Sequence, residues 1–378
     1  MSRKSIALTA IAVLVIGALV FYQLSGVQGV AGTRPGMVRT VTVASIAFPH
    51  EGRQRFSGSS AIIQEQGWLK EQLARRGIEL VWFPVPTAVG GPLINEGFAS
   101  KRIDFASYGD FPAIIAASGG VDLRLIVPNG RGQNTYLVVR KDLPATSIRD
   151  LKGKRIALHR GRPWELSFSK LAESAGLSLD DFRILNINPP ASHAALASGD
   201  VDAVFLLSDA HLLVERGVGR ILWSTKEAPQ DWKMRAELFG RGDFVERYPE
   251  ITALIAEAFV RAAHWSSLPE NRERVIDIST RGEAPRSVVE AELDEPRLSW
   301  RDRFSPLFDG AVIDHYRNVA DYTFRQGLIR TPVDIDRIME PRFAEQAIHK
   351  LKLDRHWPAP PVRTAQAATA GATEAARP

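Results

Sequence analysis

Two arginines, a histidine and a tryptophan crowd into His159-Arg160-Gly161-Arg162-Pro163-Trp164. A planar guanidinium donates two parallel hydrogen bonds to an oxyanion, which a lysine ammonium cannot match. The stretch lies between a strand-like run, Arg155 to Leu158, and a helix-like one, Trp164 to Ala175. At least one of Arg160 and Arg162 is therefore expected to meet a ligand, the other being a solvated loop charge. Trp164 either walls the pocket or packs on the rest of the chain. Other stretches offer weaker chemistry. Gly90-Gly91 before Pro92 is either a plain tight turn or a place where backbone approaches a ligand closely. In Ser107-Tyr108-Gly109-Asp110, Asp110 suits a structural helix cap, while Ser107 and Tyr108 are the contact candidates. Asn129-Gly130-Arg131-Gly132-Gln133-Asn134 adds Arg131, Gln133 and Asn134 as hydrogen-bonding candidates. Asp209 either orients an arginine, meets a ligand amine or caps a helix.

Covalent chemistry has little to work with. There is no cysteine, so a thiol nucleophile, a disulfide and a thiolate metal site are excluded. His50, His159, His193, His211 and His264 show no metal-type spacing. No catalytic residue, metal or cofactor is expected, which leaves binding rather than turnover.

The elements that must position these residues alternate. Val38 to Ile46, Ile78 to Phe83, Ile103 to Ala106, Leu123 to Pro128 and Tyr136 to Arg140 read as strands. Between them, Ser59 to Arg76, Gly90 to Phe98 and Phe111 to Ser118 read as helices. The cycle restarts after Ile148-Arg149-Asp150-Leu151-Lys152-Gly153, with strands Arg155 to Leu158, Phe182 to Ile187 and Val201 to Leu207 around helices Trp164 to Ala175 and Ala191 to Ala197. Such alternation implies parallel sheet covered by helices on both faces. One joint is written twice, as Lys101-Arg102-Ile103-Asp104-Phe105 and Gly199-Asp200-Val201-Asp202-Ala203. Two α/β lobes of similar plan explain the repetition, each Asp tying down its own turn. Open parallel sheets bind ligands beyond the carboxyl ends of their strands, here Ser107-Tyr108-Gly109-Asp110 and Leu207-Ser208-Asp209. After about Glu237 strands are expected to stop. Helices follow over Phe244 to Trp265 and near 285–294, 311–326 and 333–350, and the Ala- and Pro-rich tail from His356 reads as disordered.

At 378 residues the chain is long enough for two compact domains or one large one, and its net charge of +5 calls for no nucleic acid but is compatible with a small anion. No helix-turn-helix precedes Val38. Arg3 and Lys4 ahead of the apolar run Ile6 to Tyr22 read as an export signal, with Val30-Ala31-Gly32 as a cleavage site. Either a cleaved signal or an uncleaved membrane anchor exports the remainder.

Several segments together resemble solute-binding proteins of ABC importers, in the branch serving sulfonates, taurine and nitrate. They are Val85-Pro86-Thr87-Ala88-Val89-Gly90-Gly91-Pro92, Ile103 to Pro112, Asp150-Leu151-Lys152-Gly153-Lys154-Arg155-Ile156-Ala157, Gly199-Asp200-Val201-Asp202-Ala203 and Gly327-Leu328-Ile329 with Val333-Asp334. The likeness spans about residues 38–345, and its order and spacing carry it. It implies an α/β, two-lobed type II periplasmic-binding-protein fold with two hinge crossovers, near Arg140 and Phe239, and a C-terminal helical segment. Implied boundaries are 1–37 for signal or anchor plus linker, 38–138 and 240–355 for the first lobe, 139–239 for the second and 356–378 for the tail. It also implies a periplasmic monomer that captures a small anionic organic ligand by lobe closure and delivers it to an ABC permease and its ATPase. The alternatives are a periplasmic sensor domain and an enzyme on the same fold. Where related sulfonate binders often carry an aromatic residue before an Asp-Pro, this chain reads Leu207-Ser208-Asp209-Ala210.

Overall fold

β-Branched and aromatic runs pair into two mixed sheets in a computed structural model that describes residues 38–50, 52–86, 89–281 and 284–358. The expected export signal, the linker and most of the tail lie outside the described residues. The strands are β1 (Thr40–His50), β2 (Arg53–Phe56), β3 (Glu79–Pro86), β4 (Phe105–Gly109), β5 (Leu123–Val127), β6 (Tyr136–Arg140), β7 (Arg155–Ala157), β8 (Arg183–Leu185), β9 (Ala203–Leu206), β10 (Gly219–Ser224) and β11 (Ala236–Arg241). In the first sheet β1 pairs in parallel with β3 and β4, and β11 runs antiparallel between β4 and β5. The second has the order β10-β6-β9-β7-β8, with β7 parallel to β8 and β9 and with β6 antiparallel to β9 and β10. Ala203-Val204-Phe205-Leu206 is buried throughout, as an unbroken apolar run must be when helices cover both faces.

Three strand features depart from the sequence expectation. β11 continues past Glu237 to Arg241, and antiparallel β11 and β6 make the sheets mixed rather than parallel. β10 carries polar Arg220 and Ser224 and is mostly half-buried, so its hydrophobic signal is weak. Beyond the expected end of the first strand at Ile46, the polar stretch between Phe48 and Ser59 forms a hairpin. β1 runs on to His50, and β2 returns against it, pairing Ala47 with Phe56 and His50 with Arg53. Phe56 anchors this return by burying its ring 5.2 Å from that of Trp82.

Helix breaks follow local chemistry. Gly67, at φ 69°, splits the expected Ser59–Arg76 helix into Gly58–Gln66 and Trp68–Ala74. Pro249 starts a new helix, Pro249–Ser267, after Gly242–Arg247, since a first-turn proline gives up no intrahelical bond. The tail also needs correction at its start. His356 and Trp357 are placed, with Trp357 only 1% exposed and its indole donating to the Arg301 carbonyl.

The doubled joint does structural work by a different bond than expected. Asp104 accepts the Thr42 N–H at 2.9 Å and pairs with Arg241 at 3.0 Å. Asp202 accepts the Arg155 N–H at 3.0 Å and is forked by the Arg155 guanidinium. Each carboxylate therefore clasps the neighbouring strand, Thr42 of β1 or Arg155 of β7, instead of its own turn. That Arg155 fork holds the Asp202 carboxyl below the usual carboxylate range.

The chain passes between the sheets over residues 128–135 and returns over 225–235, both upstream of Arg140 and Phe239. β5 is left at the carboxyl edge of the first sheet. β6 starts opposite Leu206, the carboxyl end of β9, and β11 starts opposite Gly109, the carboxyl end of β4. The two carboxyl edges consequently face each other across the crossovers. The crossovers also bond to each other, with Gln133 and Met234 exchanging amide hydrogen bonds at 2.8 and 3.1 Å. Gly132, at φ +84°, is required here: a Cβ would stand 2.6 Å from the Met234 carbonyl.

Candidate functional site

Residues beyond the facing strand ends form the candidate site. In the second lobe, the turn after β7 projects His159 to Trp164 ahead of the helix Glu165–Ser174. Pro163 of this turn meets Gly109, the end of β4 in the first lobe. A Cβ on Gly109 would stand 3.4 Å from the Pro163 ring. Next along the helix, Leu166 is buried within the first-lobe core cluster that includes Phe111 and Tyr322. Ser167 donates to the Trp232 carbonyl, and Lys170 pairs with Asp231 at 2.9 Å. The loop carrying the arginines is thus seated directly on the seam between the lobes. A cavity of about 280 Å³ opens beside it, lined by Leu166, Lys170, Trp232 and Tyr322 among others.

The two arginines are held differently. Arg160 donates its Nε to Glu165 at 2.7 Å and its backbone N–H to the Asn186 side chain at 3.0 Å. Arg162 is half-buried and has no carboxylate partner among the described residues. A partly dehydrated guanidinium without a counterion is an electrostatic deficit that an anion would fill. Close by, the indole N–H of Trp164 and Nδ1 of His159 are buried without a hydrogen-bond partner among the described residues, their rings 6.1 Å apart. Burial, and then the charge of Arg162, holds the His159 pKa below its ordinary value. Near neutral pH the imidazole is therefore mainly neutral and adds no competing charge. Much of the Trp164 ring packs on the second-lobe core.

Other expected contacts have other duties. Gly90 adopts φ 57° ahead of the helix Gly91–Ala99, a conformation glycine tolerates. Gly91 serves close packing: a Cβ there would lie 2.4 Å from that of Pro112. Tyr108 does not reach a cleft. Its ring is 3% exposed and packs on Phe98 and Phe239, because side chains alternate along β4 and Tyr108 takes the core face. Ser107, one step earlier, is half-buried and its hydroxyl has no bonding partner among the described residues. Arg131 is committed to an ion pair with Asp309. Asn134 is 1% exposed and bonds Glu292, Glu295 and Thr225. Asn134 is thus enclosed by protein partners, and Arg131 has its charge compensated by Asp309. Asp209 is taken by His193 Nε2 at 2.9 Å, so it orients a histidine rather than an arginine.

Asp110 is structural, but not as the expected helix cap: Gly109 holds the N-cap position of the helix Asp110–Ser118, and Asp110 is its first residue. It is wholly buried, and its carboxylate takes the N–H groups of Phe111 and Arg235 and bonds His315 Nε2 at 2.6 Å. Two side chains on this seam that the sequence did not single out are Glu165 and Tyr322. Glu165 is an acid in a first helical turn, an ordinary position, and its partner Tyr322 lies 157 residues away.

Comparison with known proteins agrees with this architecture. The family model described as NMT1/THI5 like matches residues 64–266. A solved structure, the periplasmic sulfonate-binding protein SsuA of a putative sulfonate ABC transporter from Methylobacillus flagellatus KT, is 44% identical, with a TM-score of 0.80 over 86% of this chain and 99% of that one. The taurine-binding periplasmic protein of Escherichia coli (strain K12) is 25% identical over 251 residues, 63% of this chain and 76% of that one. The desulfurization enzyme DSZB shares the fold at 18% identity and a TM-score of 0.63, over 82% of this chain and 99% of that one.

Proposed function

Since the chain belongs to the NMT1/THI5-like family, we propose that it is an extracytoplasmic solute-binding protein that captures a small organic sulfonate between its lobes and hands it to an ABC permease and its ATPase. The observation that carries this reading is the half-buried, uncompensated guanidinium of Arg162 on the lobe seam. Arg160 beside it bonds through Nε, and its two terminal Nη groups have no partner among the described residues, so they can meet ligand oxygens. Trp164 and His159 offer polar ring atoms, and Ser107 offers a hydroxyl from the opposite lobe. Gly90 borders the same edge, where backbone approaches without a side chain between. The names of the sulfonate- and taurine-binding relatives favour a sulfonate over other anions. Binding without turnover is part of the proposal. A thiol nucleophile is impossible here, and the likeness to a desulfurization enzyme extends only to the fold. Among the described residues, no helix is long and apolar enough to cross a membrane.

Closure is a rigid-body motion about the paired crossovers. Solution scattering with and without saturating ethanesulfonate checks it. A smaller radius of gyration with ligand is the expected outcome, and an unchanged profile at saturation would count against a closing cleft.

A further inference from the structure

Glu165 carries a carboxylate that is 0% exposed, an expensive burial unless every lone pair is used. Three donors surround it. Arg160 gives its Nε at 2.7 Å and Gly161 its N–H, both from the loop that carries the anion-binding arginines. The third, the hydroxyl of Tyr322 at 3.0 Å, comes from the first-lobe helix Gly310–Arg325. Tyr322 is itself 1% exposed. Burial first, and then the Glu165 carboxylate, keep its phenol protonated well above neutral pH, so it remains a donor.

The connection has a direction. When the lobes part, Tyr322 must leave Glu165, and the carboxylate keeps only partners from its own loop. When they close, the same Oε1 that holds Arg160 also receives the tyrosine hydroxyl. We propose that Glu165 is a positioning residue for Arg160 and that Tyr322 makes this positioning depend on closure, so one buried carboxylate couples the ligand-facing arginine to the lobe seam. The proposal rests on the reading of the Arg160–Arg162 loop as an anion site. With Nε occupied, Arg160 presents only its Nη edge, a two-pronged donor matched to two oxygens of one anionic group. Leu166, one residue on, drives the same helix end into the first-lobe core, so polar and apolar contacts form together.

The chain has no native cysteine, so a single pair of labels reports lobe separation. Ala74→Cys in the first lobe and Glu215→Cys in the second are both at exposed positions. In this background, Tyr322→Phe without ligand is expected to shift the label-distance distribution toward the open form and to move the Arg160 Nε–H resonance. With ethanesulfonate as probe, its association rate should stay near wild type and its dissociation rate rise about tenfold, the scale of one hydrogen bond to a charged group. Glu165→Gln should weaken binding at least as much, and the double variant should lose less than the sum, because both changes cut one chain of bonds. An unmoved distance distribution and Nε–H resonance in Tyr322→Phe, or strictly additive losses, would overturn the coupling. If wild type binds no sulfonate, the functional reading fails, and the two ligand-free readouts still decide the coupling. If Glu165→Gln does not fold, Tyr322→Phe decides it alone.

Discussion

Arg162→Ala should lower affinity for ethanesulfonate at least tenfold while shifting the melting temperature by no more than about two degrees. The guanidinium is half-buried and has no carboxylate partner among the described residues, so folding does not depend on it. Truncating one partner of a buried charged pair typically costs about 2–5 kcal/mol of binding, and about 1.4 kcal/mol is a decade in affinity. Arg162→Lys should lose much of the same affinity, since the ammonium lacks the planar fork. Arg160→Ala should behave differently. It strips a donor from the buried Glu165 carboxylate, so binding and stability should fall together, the latter by about 1–3 kcal/mol. Calorimetric titration and thermal melts of the variants separate the two. Unchanged binding in both alanine variants would point to an uncharged ligand held through Trp164.

The second large effect concerns the crossovers. Lys233 and Glu295 are 0% and 1% exposed and stand 2.5 Å apart, with Arg303 at 3.5 Å and the Asn134 amide at 3.3 Å from the same carboxylate. Glu292 adds bonds to the Asn134 N–H and to the Tyr136 hydroxyl. The end of the helix Arg286–Leu293 and the segment that follows it therefore brace both crossovers from one side. Glu295→Ala leaves the Lys233 ammonium buried without its carboxylate, which typically costs about 3–5 kcal/mol. The melting temperature should drop by about 5 °C, the unfolding entropy of so long a chain being large. A pH signature follows. Burial already holds the Lys233 pKa below 10.5, and Glu295 opposes that shift. Without Glu295 the folded-state pKa falls further below the unfolded one, so between the two the unfolded chain binds more protons. Stability of the variant should therefore recover as pH rises from 7 toward 10. Melts at pH 7 and 9 test this. A variant as stable as wild type, or one with no relative gain at pH 9, would contradict it. Replacing the pair together, Lys233→Met with Glu295→Leu, should cost less than Glu295→Ala alone.

What was legible in the sequence were features that follow from local pattern. Runs such as Ala203 to Leu206 show their burial directly, and the doubled Asp joint exposed two similar lobes. The Arg160–Trp164 cluster could be singled out because Arg, Gly and Trp between a strand and a helix are unusual in themselves. Features that depend on register or on distant partners were not legible. β11 inserts antiparallel between β4 and β5, which no local period encodes. Tyr108 stood out as a contact candidate at a strand end, yet its parity along β4 turns it into the core. Arg131 and Asn134 looked free because Asp309 and Glu292 lie more than 150 residues downstream. Glu165 gave no sign at all, since its meaning comes from Tyr322 in the other lobe.

Titration of the purified protein with ethanesulfonate against ethanesulfonamide, its neutral near-isostere, tests the anion-binding seam most directly. The two ligands differ little in shape but by one negative charge, so the uncompensated guanidinium should tell them apart. Saturable one-to-one binding of the sulfonate, with the sulfonamide weaker by at least about tenfold, is the predicted result. Equal affinity for the two, or no binding of the sulfonate, would contradict it.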